Sequence, residues 1–112
     1  MKIYHNPRCG KSRQTLALLE EKGAKPEIIK YLETPPNQAE LEEIIQLLQI
    51  SPFELIRKNE AIFKENYKGK EFSDEEWIAT LLQHPKLIER PIVIHNGKAT
   101  IGRPPEKVLE LL

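Results

Sequence analysis

The N-terminal third of the chain has the order strand, helix, strand, and this order constrains the fold more than any other feature. Residues Lys2–His5 predict a short strand, and Ser12–Lys22 predict an amphipathic helix that ends at Gly23. Residues Glu27–Leu32 predict a second strand. Strands joined in this way pair in parallel through a right-handed crossover. The turn after the first strand therefore lies at the carboxyl edge of a parallel sheet, where α/β proteins build their sites.

The chain's only cysteine, Cys9, lies in that turn, within the run His5-Asn6-Pro7-Arg8-Cys9-Gly10-Lys11-Ser12-Arg13. The N–H groups of a first helical turn lack intrahelical partners, and the helix dipole is positive there, so the position favours a thiolate. Basic or titratable side chains in the same run add positive field. A cysteine chosen only for its volume would need none of these neighbours. We interpret Cys9 as a nucleophile.

The spacing around Cys9 excludes several other kinds of site. A dithiol redox centre of the Cys-x-x-Cys type would need cysteine at position 12, which is Ser12. One cysteine and three scattered histidines, His5, His84 and His95, do not form a structural zinc site. We therefore expect a monothiol site with no metal and no bound cofactor.

Composition limits the size of the protein and its partners. A chain of 112 residues with 39% hydrophobic content predicts a single domain over residues 1–112. The 17 basic and 17 acidic residues balance, so charge predicts no binding to nucleic acid or to an anionic membrane. No segment is typical of a signal peptide or a membrane span. With one cysteine no internal disulfide is possible, and we expect a cytoplasmic location.

The middle of the chain predicts a helical insertion over about residues 37–88. Capping patterns begin at Asn37, Ser51 and Ser73, each of which has a glutamate three residues later. The polar stretch Lys64–Phe72 is interpreted as a surface loop.

The C-terminal part predicts two antiparallel strands and a last helix. The dipeptide Asn96-Gly97 favours a type I′ turn between Ile92–His95 and Lys98–Ile101. A helix that begins at Pro104 is expected to bury its apolar residues Val108, Leu109 and Leu112. The complete order, βαβ, helical insertion, ββα, predicts an α/β thioredoxin-like fold with a four-stranded mixed sheet.

Four blocks of the sequence together resemble the glutaredoxin-coupled arsenate reductase family, whose relatives include the Spx regulators. They are the run His5–Arg13, the stretch Leu55-Ile56-Arg57-Lys58-Asn59, the stretch Arg90-Pro91-Ile92-Val93 and the tripeptide Gly102-Arg103-Pro104. The resemblance covers essentially the whole chain. It implies an enzyme that reduces arsenate to arsenite, with glutathione as co-substrate and glutaredoxin as the protein partner.

The resemblance also implies roles for particular residues. Cys9 would be the catalytic nucleophile, and His5 and Ser12 would tune its thiolate. Three arginines would bind the substrate oxyanion: Arg57, Arg90 and Arg103. Arginine suits this role because its planar guanidinium presents two donors at once to an anion such as arsenate.

Two alternatives stay open at the level of sequence. The chain could be an Spx-like module that binds RNA polymerase, although Ser12 removes the second sulfur of a redox switch. It could also be a glutathione-dependent reductase of another substrate, which would keep Cys9 without needing the arginines. Arsenite production with glutathione and glutaredoxin distinguishes these alternatives.

Overall fold

A computed structural model describes residues 1–112. The residues form two compact units, one of Met1–Thr34 with Arg90–Leu112 and one of Pro35–Glu89. The first unit contains a four-stranded mixed sheet, and this confirms the predicted α/β thioredoxin-like fold class. The helical insertion predicted over about 37–88 lies in the second unit.

The first unit contains the sheet, one α-helix and one 3₁₀ helix. Its elements are β1 (Lys2–His5), α1 (Gly10–Glu21), β2 (Glu27–Lys30), β3 (Ile92–His95), β4 (Lys98–Ile101) and a C-terminal 3₁₀ helix (Pro105–Leu111). The strand order is β2-β1-β3-β4, in which β1 pairs in parallel with β2 and antiparallel with β3. The strands β3 and β4 form the predicted hairpin, and Asn96 and Gly97 both have positive φ in its turn. That geometry is what a type I′ turn requires.

A small apolar core holds these elements together. It consists of Ile3 from β1, Leu19 from α1, Val93 from β3 and Val108 from the C-terminal helix, none of which is exposed. One residue from each element therefore fixes the helices on the sheet, and the loop after β1 starts from a buried strand. Burying each of these side chains contributes about 1.5–3 kcal/mol relative to leaving it in water.

Three details of the first unit differ from the sequence predictions. The strand β2 ends at Lys30, two residues before the predicted end at Leu32. The helix α1 begins at Gly10 with Cys9 as its N-cap residue, two positions before the predicted start at Ser12. Ser12 does not cap the helix, because its hydroxyl is hydrogen-bonded to the His5 ring and the Asn6 backbone. Leu112 is 54% exposed, since the last helix winds as a 3₁₀ helix that buries Pro105 and Val108.

The second unit is mainly helical. Its elements are α2 (Gln38–Leu48), a 3₁₀ turn (Pro52–Leu55), α3 (Ala61–Asn66), α4 (Asp74–Gln83) and a second 3₁₀ turn (Pro85–Leu87). Asn37 and Ser73 form capping boxes with Glu40 and Glu76, which confirms those two predicted helix starts. None of the helices in the protein combines the length and apolarity needed to cross a bilayer.

The loop predicted over Lys64–Phe72 is wrong at its beginning, because residues 64–66 belong to α3. Phe63 explains the difference. Its ring is buried, and it packs against Phe53 and Trp77 at centroid distances of 6.3 Å. Packing of this aromatic residue stabilises a short helix that its polar neighbours alone would not indicate.

Candidate active site

The loop between β1 and α1 is fixed by hydrogen bonds from its own residues. The Asn6 side chain accepts from the Arg8 backbone N–H at 3.0 Å, and the Asn6 carbonyl accepts from the Cys9 N–H at 3.0 Å. The Arg13 guanidinium, from the first turn of α1, donates to the Pro7 carbonyl at 2.9 Å. These three bonds hold the cysteine in one position at the start of the helix.

Cys9 is buried, with 9% of its surface exposed, and it is a free thiol. It occupies the N-cap position of α1 in an extended conformation, and the first turn of that helix carries no acidic residue. The partial positive charge of the helix terminus is therefore not neutralised by a nearby carboxylate.

Arg103 supplies the direct contact with the sulfur. Its Nη2 atom donates to Cys9 Sγ at 3.6 Å, and its Nε donates to the Arg90 carbonyl at 2.8 Å. A guanidinium group donates strong, charge-assisted hydrogen bonds. The structure thus brings together Cys9 and Arg103, which the sequence separates by 94 positions.

Arg90 has an unusual environment for a charged side chain. Its Nε and Nη1 atoms are buried and have no hydrogen-bond partner. A buried donor without a partner costs about 1–3 kcal/mol, and more when it is charged. An anionic ligand would provide the missing acceptors. The peptide bonds that follow Arg90 and Arg103 are both cis, so each arginine precedes a cis proline.

His5 and Ser12 are hydrogen-bonded to each other and not to the sulfur. The distance from His5 Nδ1 to Ser12 Oγ is 2.6 Å, and Ser12 Oγ also accepts from the Asn6 N–H at 3.0 Å. Both side chains are buried. Their direct effect is to hold the loop that carries Cys9, and their effect on the thiolate stays a prediction.

Burial lowers the pKa of His5 below its ordinary value of 6.5. The positive charges of Lys30 and Arg13 lower this pKa further, and Glu20 opposes them. At neutral pH the ring is therefore uncharged, so His5 can exchange a hydrogen bond with Ser12 without burying a cation.

Two residues with no predicted role in the site pack closely next to Arg103. Thr15 is fully buried, and its hydroxyl lies 3.4 Å from the Gly102 carbonyl. A Cβ atom added to Gly102 would lie 2.6 Å from Thr15 Oγ1 and 2.9 Å from Pro91 Cγ. Only glycine fits there, so Gly102 lets the segment that carries Arg103 approach α1. In the sequence, the glycine directly before Arg103-Pro104 was the signal that could have indicated this close packing.

Arg57 lies in the second unit. Its guanidinium forms ion pairs with Glu60 and Glu89, and its backbone N–H donates to the Leu87 carbonyl. The oxyanion-binding role of Arg57 stays a prediction, whereas Arg90 and Arg103 share one corner of the first unit.

Comparison with known proteins identifies the family of this chain. Residues 4–111 match the ArsC family. The chain belongs to the ArsC family. An arsenate reductase from Haemophilus influenzae is 46% identical over 98% of this chain and 97% of its own length. The uncharacterized Escherichia coli protein YfgD is 52% identical over 100% of this chain and 96% of its own length.

A solved structure supports the same assignment. The arsenate reductase of Vibrio cholerae superposes with a TM-score of 0.94 at 51% identity, and the match covers 99% of this chain and 96% of that one. The resemblance to the arsenate reductase family, which four blocks of the sequence indicated, is therefore confirmed.

The low pKa of His5 predicts how the stability of this ArsC family member depends on pH. Because the unfolded chain binds a proton near pH 6.5 and the folded chain does so only at lower pH, acid favours unfolding. The stabilising effect of a neutral His5 is complete above about pH 6.5. It is lost as the pH falls from there through the lower pKa of the folded chain. Urea unfolding at several values between about pH 5 and 8 measures this. His5→Gln should flatten the profile and His95→Gln should retain it; equal slopes for His5→Gln and wild type would contradict the assignment.

The close approach at Gly102 predicts that Gly102→Ala destabilises the protein by about 1–3 kcal/mol, the usual cost of overpacking. Its Cβ would overlap Thr15 and Pro91. Gly10→Ala is the matched control, because a Cβ there meets only Arg13 Nη2 at 3.9 Å. Urea denaturation of both variants measures the difference. Equal stability of the two alanine variants would show that the segment around Gly102 has room to move.

Proposed function

We propose that this chain reduces arsenate to arsenite, with the Cys9 thiolate as the nucleophile and with glutathione and glutaredoxin as external reductants. The observation that carries the proposal is the contact between Arg103 Nη2 and Cys9 Sγ beside an arginine, Arg90, that has two buried donors without partners. A nucleophilic sulfur next to unused guanidinium donors is suited to an oxyanion substrate. The arsenate reductases among its relatives support the same substrate.

The proposed reaction begins with a bond between sulfur and arsenic. The Cys9 thiolate attacks arsenate, and one oxygen takes up protons and leaves as water. A glutathione thiol then displaces a second oxygen, also as water. Glutaredoxin attacks the glutathione sulfur, and the electron pair of the S–As bond stays on arsenic, which is reduced from As(V) to As(III). Water releases arsenite from Cys9 and restores the thiol.

In the first step, the arginines would reduce the repulsion between the negatively charged substrate and the sulfur anion. Arsenate carries negative charge on several oxygens and must approach a sulfur anion. Arg90 and Arg103 would neutralise part of that charge and orient the anion for attack. His5 and Ser12 would keep the loop, and hence the sulfur, in position.

External thiols are needed because the chain has no second cysteine. Cys9 cannot resolve its own arsenic adduct through an internal disulfide. Glutathione and glutaredoxin would supply the two sulfur atoms that end as a mixed disulfide. A thiol-dependent cycle of this kind suits a reducing compartment, and we propose the cytoplasm.

The role of Cys9 predicts that Cys9→Ser abolishes arsenite formation while the fold is kept. A serine hydroxyl is nearly the same size and is far less acidic, so no nucleophile forms. Arsenite is measured over many turnovers with arsenate, glutathione and glutaredoxin, and folding is checked by circular dichroism. Wild-type turnover by the serine variant would contradict the proposal. So would repeated turnover of the wild type without added thiol.

The unpartnered donors of Arg90 predict that Arg90→Lys lowers kcat/KM for arsenate about 10- to 100-fold, because lysine keeps the charge and loses the planar pair of donors. Steady-state reduction with saturating glutathione and glutaredoxin measures the effect. Lys98→Arg, an exposed exchange that keeps the charge, is the control. If Arg90→Lys matched that control, Arg90 would have a purely structural role.

A further inference from the structure

A cavity of about 300 Å³ lies beside the loop that carries Cys9. It is lined by His5, Asn6, Pro7 and Arg8 from that loop and by Lys30, Leu32 and Glu33 from the end of β2. Its volume is at the lower end of the roughly 300–1,000 Å³ that is usual for small-molecule sites. None of the contacts of Cys9, Arg90 or Arg103 described above uses this space.

The sheet register fixes the wall of this cavity. His5 and Lys30 are paired residues at the carboxyl ends of the parallel strands β1 and β2. After β2 the chain turns, and the Glu33 N–H donates to the Lys30 carbonyl at 2.9 Å. Tyr31 is 2% exposed and anchors this turn, so Lys30 and Leu32 on either side of it are left at the surface. The cavity therefore lies at the carboxyl ends of two paired strands, next to a turn that Tyr31 anchors.

The charges around the cavity are unused within the protein. The side-chain charges of Arg8, Lys30 and Glu33 form no hydrogen bond or ion pair. Lys30 is close enough to His5 to lower the pKa of that ring. Two cations and one anion thus surround a single small cavity, and the 46% exposed side chain of Leu32 adds an apolar surface.

We propose that this cavity binds the thiol co-substrate, a small thiol peptide of the glutathione type; this inference rests on the proposed function. Glutathione carries two carboxylates and one ammonium group, which is the complement of Arg8, Lys30 and Glu33. Arg8 suits a carboxylate because its guanidinium can bind both oxygens. Glu33 faces the ammonium group, and Leu32 packs against the peptide's methylene groups.

The position of the cavity suits the second chemical step. Residues 5–8 line it, and Cys9 is the next residue along the chain. A peptide held there by its carboxylates would present its thiol to an arsenic atom bonded to Cys9 without occupying the donors of Arg90. The step is the displacement already described: the glutathione sulfur bonds to arsenic, and one oxygen leaves as water.

Binding can be tested without any turnover by using S-methylglutathione, which cannot react with arsenic. The probe is titrated into ¹⁵N-labelled wild-type protein. Saturable shifts of the backbone N–H signals of residues 5, 6, 8, 30, 32 and 33 are the expected result. Shifts confined to other residues, or no shifts at millimolar probe, would overturn the proposal. Inorganic phosphate is titrated in parallel; if it shifts these residues and S-methylglutathione does not, the cavity binds oxyanions instead.

Variants with reversed side-chain charge test which cavity residues bind the probe. Lys30→Glu and Arg8→Glu should each weaken S-methylglutathione binding by roughly tenfold, because an attraction becomes a repulsion. Lys98→Glu, on the exposed hairpin and outside the cavity, should bind like wild type. Unchanged affinity in both cavity variants would overturn the assignment of the carboxylate contacts.

Kinetics separate this proposal from the proposed function. In steady-state reduction, Lys30→Glu should raise the KM for glutathione about tenfold and leave the KM for arsenate unchanged. If the wild type makes no arsenite while S-methylglutathione still binds the cavity, the proposed function fails and the thiol site stands. If arsenite forms and the KM for glutathione does not change in Lys30→Glu, the thiol site fails and the proposed function stands.

Discussion

The guanidinium of Arg103 joins the parts of the first unit on which the site depends. One of its nitrogens donates to the Cys9 sulfur and another to the Arg90 carbonyl. Three segments that are far apart in sequence therefore meet at one planar group: the loop after β1, the segment before β3 and the segment after β4. Next to this meeting point Gly102 packs closely on Thr15, and a Cβ added there would lie 2.6 Å from Thr15 Oγ1.

The two proline-flanked arginines make different contributions. Arg103 Nε and Nη2 both donate to protein atoms, one of which is the Cys9 sulfur. Arg90 has buried donors with no partner, and such a group is costly in an unliganded protein. Unsatisfied buried groups of this kind are found at functional sites, among other places. In the proposed function, Arg90 would bind the substrate anion and Arg103 would act on the Cys9 sulfur.

Local sequence signals predicted most of the first unit. The βαβ order, the Asn96-Gly97 turn and the position of Cys9 each follow from short-range chemistry, and the structure has all three. Longer-range features were not predictable in this way. The helical start of the stretch predicted as a loop depends on the packing of Phe63, and the role of Ser12 as a partner of His5 depends on a contact across the loop. The meeting of Arg103 with Cys9 joins residues 94 positions apart, and no local pattern encodes such a contact.

The most direct test of the oxyanion site is to observe the arginine donors while arsenate binds. The Nε–H signals of Arg90 and Arg103 can be followed by NMR in the Cys9→Ser protein, in which binding occurs without reaction. The expected result is a saturable shift of the Arg90 signal on addition of arsenate. Urea, an uncharged solute, should shift this signal less. An Arg90 signal that stays unchanged while arsenate saturates the protein would contradict the assignment of this corner of the first unit as the substrate site.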